Sequence, residues 1–185
     1  MNIPNLFTLI RIALIPVFCI FVFDGAREVT AKYHPDTLII AGVIFVLAAF
    51  TDWFDGYFAR KYDQVTNVGK LLDPLADKLL ITAALIAMVE WEWIPGWSVV
   101  IILAREFLIT GLRTLLVEAK AEVKGASFLG KAKTFTQIAA VILFLFDFAD
   151  FGLIVYYIAL ILTIVSGLDY VWKSRKYLNF KENKS

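Results

Sequence analysis

Residues 52–60 read D-W-F-D-G-Y-F-A-R, and residues 69–77 read G-K-L-L-D-P-L-A-D. Four carboxylates, Asp52, Asp55, Asp73 and Asp77, thus stand inside or beside segments otherwise suited to lipid. An ionised acid at the centre of a bilayer helix costs about 3 kcal/mol on insertion scales. Four such acids need strong positive compensation, and the neighbouring cations are too few. Bound divalent metal is the simplest compensation. Metal and carboxylates together at a membrane surface point toward phosphate chemistry.

The surrounding composition fits that setting. The chain has 185 residues, 60% of them hydrophobic, and a mean hydropathy of +0.74. Its apolar runs exceed what a soluble core of that size can bury. The expectation is one integral membrane domain over residues 1–185. The single cysteine, Cys19, excludes an intrachain disulfide, and the single histidine, His34, excludes a zinc site built on several histidines. Arg11 lies inside the first apolar stretch, and no small-residue cleavage site follows it. That stretch is therefore expected to be a retained helix rather than a removable signal.

A membrane-spanning helix needs roughly 20 mostly apolar residues. Six stretches qualify: 6–23, 37–60, 70–89, 94–116, 134–148 and 153–172. The fifth is short unless it begins near Lys131. Gly25, Pro35, Gly69, Pro95, Gly125, Gly130 and Gly152 are placed in or near the gaps as punctuation. The expected fold is an all-α membrane protein with six transmembrane helices. Loops after the first, third and fifth stretches are mainly acidic, with Asp24, Glu28, Glu90, Glu92, Asp147 and Asp150. Loops after the second and fourth, and the tail, are basic, with Lys61, Lys120, Lys124, Lys131, Lys173 and Arg175 among them. The positive-inside rule puts the basic set, and with it both termini, in the cytoplasm. Trp91, Trp93 and Trp97 then mark an outer interfacial belt.

In this frame the acids pair. Asp52 and Asp55 are spaced i,i+3, and Asp73 and Asp77 i,i+4, so each pair shares a helix face. Asp52 lies eight residues before Arg60 and Asp77 eight after Gly69. Both are therefore roughly 12 Å along their helices from the same cytoplasmic loop. Two antiparallel helices would present four carboxylates at matching levels, a cage for Mg²⁺ or Mn²⁺. Gly56, Ala59 and Gly69 leave space beside the acids for a ligand or a backbone. The plainer alternative is a set of interhelical hydrogen bonds to Lys70 and Lys78.

The pattern D-x2-D-G-x2-A-R-x8-G-x3-D-x3-D, complete from Asp52 to Asp77, resembles the signature of the CDP-alcohol phosphotransferases. The resemblance implies a six-helix membrane enzyme, usually a homodimer. Such enzymes move a substituted phosphoryl group from a CDP-linked donor to an alcohol and release CMP. Carried over residue by residue, it implies two metal ions held by Asp52, Asp55, Asp73 and Asp77. It further implies nucleotide binding by Gly56, Ala59, Arg60 and Gly69, and Asp77 as general base.

Motifs outside the central pattern resemble the branch of that family whose donor is CDP-diacylglycerol and whose acceptor is glycerol 3-phosphate. They are I-P-N-L-F-T-L-I-R at 3–11, A-R-E-F at 104–107 and G-K-A-K-T-F-T-Q at 130–137. A phosphorylated acceptor requires cations beside the acids. Arg113, about 27 Å along the fourth helix, Lys131, Lys133 and Arg105 are the candidates. Glu106, seven residues before Arg113, is placed to orient it. Arg105 is equally suited to an interior ion pair with Glu106 across a dimer or from another helix. Arg11 either reaches the pyrophosphate or anchors the inner leaflet. The enzyme is expected in the cytoplasmic membrane, its site facing the cytoplasm, with membrane lipids and no nucleic acid as partners. The alternatives are a cardiolipin synthase of the same family, accepting phosphatidylglycerol, and a carboxylate-lined cation transporter.

Overall fold

The computed structural model describes residues 3–27, 35–62, 67–118 and 128–175, with side chains described at 8–23, 36–51, 72, 75–118 and 128–175. These residues form six helices: α1 (Ile3–Arg27), α2 (Pro35–Tyr62), α3 (Asn67–Glu90), α4 (Gly96–Glu118), α5 (Phe128–Leu145) and α6 (Ala149–Ser174). The expected helix count and order hold for the described residues. The boundaries differ in an informative way. α5 starts at Phe128, six residues before the apolar run that marked it. Lys131 and Lys133 lower the local hydropathy, but helical hydrogen bonding does not require apolar side chains, and Lys133 is buried through a partner on α4. Gly25, Gly69, Gly130 and Gly152 likewise fall inside helices rather than between them.

α1 packs most extensively on α2, and α5 on α6; α3 touches α1, α2, α4 and α5. The pairings Arg11–Thr51 and Phe18–Phe45 set α1 antiparallel to α2. Ser98–Tyr156 and Arg105–Ser166 set α4 parallel to α6. A shared core of Phe18, Phe45, Leu85, Met88, Ile102, Val141, Phe144 and Tyr156 joins all six helices. Gly42 lets α2 meet the end of α5, since a Cβ there would lie 2.9 Å from the Phe146 ring. α5 and α6 are each long and apolar enough to cross a membrane. Outward faces are studded with large apolar groups, among them Ile20, Phe107, Leu108, Ile154 and Leu168.

The ends of α3 and α5 close in the same way. Past α3, Trp93 N–H donates to Met88 O and Glu92 N–H to Val89 O, both at 3.0 Å. Past α5, Phe148 N–H donates to Leu143 O at 2.8 Å and Asp147 N–H to Phe144 O at 3.2 Å. These are Schellman closures. The left-handed residue is acidic in each, Glu92 with φ 58° and Asp147 with φ 67°. The two turns are locked together by Trp93, which stacks on Phe144 at 5.3 Å and packs against Trp91 at 5.0 Å. Trp91 Nε1 donates to Val22 O at 3.2 Å, tying α1 to the same cluster.

Candidate active site

Asp77 stands on α3 where two clefts meet. The first lies among α3, α4 and α5 and is lined by Asp77, Lys78, Ile81, Glu106, Lys133 and Gln137, with others. Its empty space, open solvent included, is about 470 Å³. The second, about 280 Å³ with open solvent included, is lined by Arg11, Ala48, Ala49, Asp77 and Ile138 among others. A ligand occupying either cleft meets the same carboxylate.

The wall opposite Asp77 in the first cleft is a charged cluster. Glu106 Oε1 accepts from Lys133 Nζ on α5 and from Arg105 NH1 at 3.1 Å. Arg105 NH2 also donates to Ser166 Oγ on α6 at 3.0 Å. Its aliphatic stem lies across Gly167, where a Cβ would sit 2.9 Å from Arg105 Cγ. Only glycine leaves α6 open for that stem. Lys133 is 6% exposed, a burial that lysine rarely adopts unpaired. Below it, Gln137 Nε2 donates to Thr163 Oγ1 at 3.2 Å, which donates on to Ala159 O at 2.7 Å. Lys78 Nζ donates to Thr110 Oγ1 at 2.5 Å, joining α3 to α4 at the same cleft. Two cations and one anion make the Lys133–Glu106–Arg105 cluster net positive by one charge, which suits an anionic ligand.

The second cleft has its own cation. Arg11 is wholly enclosed, at 0% exposure, and its Nε donates to Thr51 Oγ1 at 3.3 Å. Thr51 in turn donates to Ala48 O at 2.6 Å. Arg11 is therefore inside the bundle beside Asp77, where it is no surface anchor for a leaflet.

The other residues singled out by sequence divide into three groups. Asp52, Asp55, Gly56, Ala59 and Arg60 fall within α2, and Gly69 and Asp73 within α3, but their side chains lie outside the described residues. Lys133, Arg105 and Arg11 are brought to the clefts or directly behind their walls. Arg113 and Lys131 are exposed and line neither cleft. The Arg113 guanidinium lies 5.8 Å from the Tyr170 ring centre. Glu106, expected to orient Arg113, instead engages Arg105 and Lys133. Residue spacing on one helix had paired Glu106 with Arg113, whereas α5 supplies a nearer and buried cation. Thr51, Ser166 and Gly167 escaped sequence reasoning. Thr163, Ser166 and Gly167, at i, i+3 and i+4 on an otherwise apolar helix, were the available signal for a helix contact.

Comparison with known proteins bears on this arrangement. The family model described as CDP-alcohol phosphatidyltransferase matches residues 1–165. A Bacillus subtilis (strain 168) protein named CDP-diacylglycerol–glycerol-3-phosphate 3-phosphatidyltransferase is 45% identical, over 96% of this chain and 99% of its own length. A protein of the same name from Rickettsia bellii (strain RML369-C) is 39% identical, over 95% of this chain and 97% of its own. A Mycobacterium tuberculosis (strain CDC 1551 / Oshkosh) protein named probable phosphatidylglycerophosphate synthase is 37% identical, over 92% and 80% respectively. With a family match across most of its length and relatives alike from end to end, the chain belongs to the CDP-alcohol phosphatidyltransferase family.

Proposed function

We propose that this chain transfers the phosphatidyl group of CDP-diacylglycerol to sn-glycerol 3-phosphate, giving phosphatidylglycerophosphate and CMP. Near full-length similarity to relatives named for that reaction supports the donor and the acceptor. The observation that carries the chemistry is Asp77, half-buried and facing a cleft whose far wall is net positive.

The acceptor hydroxyl is a poor nucleophile until its proton is removed. Asp77 is the base in this reading, and its placement at the meeting of two clefts puts donor and acceptor on either side of it. The proton passes to the Asp77 carboxylate as the hydroxyl oxygen bonds to the phosphatidyl phosphorus. The bond from that phosphorus to CMP breaks, and no protein nucleophile is needed. Lys133 and Arg105 hold the acceptor's phosphate; Arg113 and Lys131, exposed near the same end, contribute attraction at the rim. Arg11 neutralises the donor pyrophosphate from the second cleft, and Gly56, Ala59, Arg60 and Gly69 take the nucleotide. Asp52, Asp55, Asp73 and Asp77 would hold two divalent ions, Mg²⁺ or Mn²⁺, which would supply positive charge to offset the negative charge building on the departing CMP. The fit to metal rests on Asp77 and on helical register. Position 52 follows Ala48 by four residues on α2, and Ala48 lines the cleft that Asp77 borders.

The setting is a bilayer. In this reading all six helices span it, both termini and the cleft face the cytoplasm, and two copies form a homodimer. The length and apolarity of α5 and α6, and the apolar outward faces, support the spanning. Purified protein in mixed micelles, given radiolabelled CDP-diacylglycerol, should release CMP only with glycerol 3-phosphate and a divalent cation. Product from phosphatidylglycerol instead, or ion flux in liposomes without CMP, would overturn the proposal.

A further inference from the structure

We infer that Glu106 is a positioning residue for the acceptor: it holds Lys133 and Arg105 as a preassembled pair of cations opposite Asp77, and so sets affinity for the phosphate-bearing alcohol. The inference rests on the reading above, in which the acceptor is anionic.

Three observations carry it. First, both cations converge on a single oxygen, Glu106 Oε1. Without that charge, a buried ammonium and a mostly buried guanidinium would face each other with nothing between them. Their repulsion in a low-dielectric wall would drive Lys133 out of the cleft or neutralise it. Second, the cluster is anchored from outside the cleft. Ser166 and Gly167 fix the Arg105 side chain on α6, so Glu106 is held by a guanidinium that cannot easily follow it. Third, Lys133 keeps capacity to spare. An ammonium has three donors, and among the described residues Lys133 uses one, to Glu106. Its remaining donors belong to a side chain that lines the same cleft as Asp77. An acceptor phosphate would complete Lys133 without displacing Glu106.

A purely structural ion pair would predict something different. Glu106→Gln keeps the size of the side chain and one acceptor oxygen, removes the charge and puts an amide NH2 in place of the other oxygen. The expected result is a rise of about tenfold in the KM for glycerol 3-phosphate, the effect of one charge-assisted hydrogen bond. The KM for CDP-diacylglycerol should stay within about twofold. In Glu106→Gln/Lys133→Met, the acceptor KM should rise over Lys133→Met by clearly less than about tenfold, because only the part of the Glu106 effect that runs through Arg105 is left. Unchanged acceptor KM in Glu106→Gln, or effects that multiply in the double variant, would overturn the inference. Should Glu106→Gln fail to fold, Glu106→Asp carries the test, since it keeps the charge and retracts it by one methylene. It should raise the acceptor KM about threefold and leave the donor KM alone; an unchanged acceptor KM there overturns the inference too. Wild-type protein that ignores glycerol 3-phosphate refutes the proposed function. Wild-type protein that uses it, beside an indifferent Glu106→Gln, refutes only the role of Glu106.

Discussion

Where α3 and α5 end, Trp91, Trp93 and Phe144 stack, and two chain reversals close on their own backbone. Nearer the starts of the same helices, Asp77 and Lys133 line a cleft that stays open, with Glu106 of α4 in its wall and Arg105 paired to Glu106. Aromatic stacking satisfies itself, so the first end is complete as folded. Charges in a low-dielectric wall satisfy each other only in part, so the second end retains capacity for an anion. One bundle thus divides stability from chemistry along its length, and substitutions at the two ends should separate the two quantities.

The sharpest separation is expected from Asp77→Asn. It removes the proposed base while preserving shape, and CMP release should fall about 10³-fold, within the usual range for general-base loss. The unfolding midpoint in detergent should hold. Retained turnover would move the base elsewhere and erase the distinction between the ends. Phe144→Ala is the converse. Phe144 is buried against Trp93 and Gly152, and its truncation should cost about 3 kcal/mol in unfolding free energy. Both KM values should stay as in wild type when measured below the new midpoint. A change in acceptor KM as large as the stability loss would show that the aromatic end reaches the cleft.

Lys133→Met comes next in size. It deletes the buried ammonium and leaves Glu106 to Arg105 alone. The acceptor KM should rise about thirtyfold, within the range for a charged hydrogen bond, while the donor KM stays put. Arg113→Ala, on an exposed side chain against Tyr170, should raise the same constant only a fewfold, because exposed charges are screened. If Arg113→Ala proved the more damaging, the acceptor phosphate would sit at the rim rather than within the cleft.

The two ends were not equally legible in sequence. The motif from Asp52 to Asp77 stood out because its residues are wrong for lipid and its spacing fixes face and depth. Helix number followed from apolar runs, and the turns after α3 and α5 from Trp91, Trp93 and the acids near them. The Lys133–Glu106–Arg105 cluster was not legible as a cluster. Each residue turns a helix by about 100°, so which side chains of α4 meet α5 depends on packing rotations that no single-helix spacing records. Glu106 was accordingly matched to Arg113 on its own helix, or to Arg105 only across a dimer or from another helix, and not to Lys133. Lys133, which builds the cluster, and the exposed Lys131 also hid the first turn and a half of α5, because a paired lysine and a solvated one look identical in hydropathy.

The smallest test concerns the two acidic turns, which share a closure but differ in the residue that makes it. Both Glu92 and Asp147 adopt positive φ. A left-handed conformation costs an ordinary L-residue about 1–2 kcal/mol, and aspartate less, because its short side chain bonds locally. Glu92→Gly should therefore stabilise the protein by about 1 kcal/mol despite the added freedom of the unfolded chain. Asp147→Gly should gain little or nothing. Both are exposed, so no buried contact is lost, and thermal unfolding in one detergent measures the difference. Equal gains would mean that conformation alone governs the turns. Loss of stability in Glu92→Gly would mean that its side chain contributes more than its backbone costs, and the aromatic end would then depend on charge as well as on stacking.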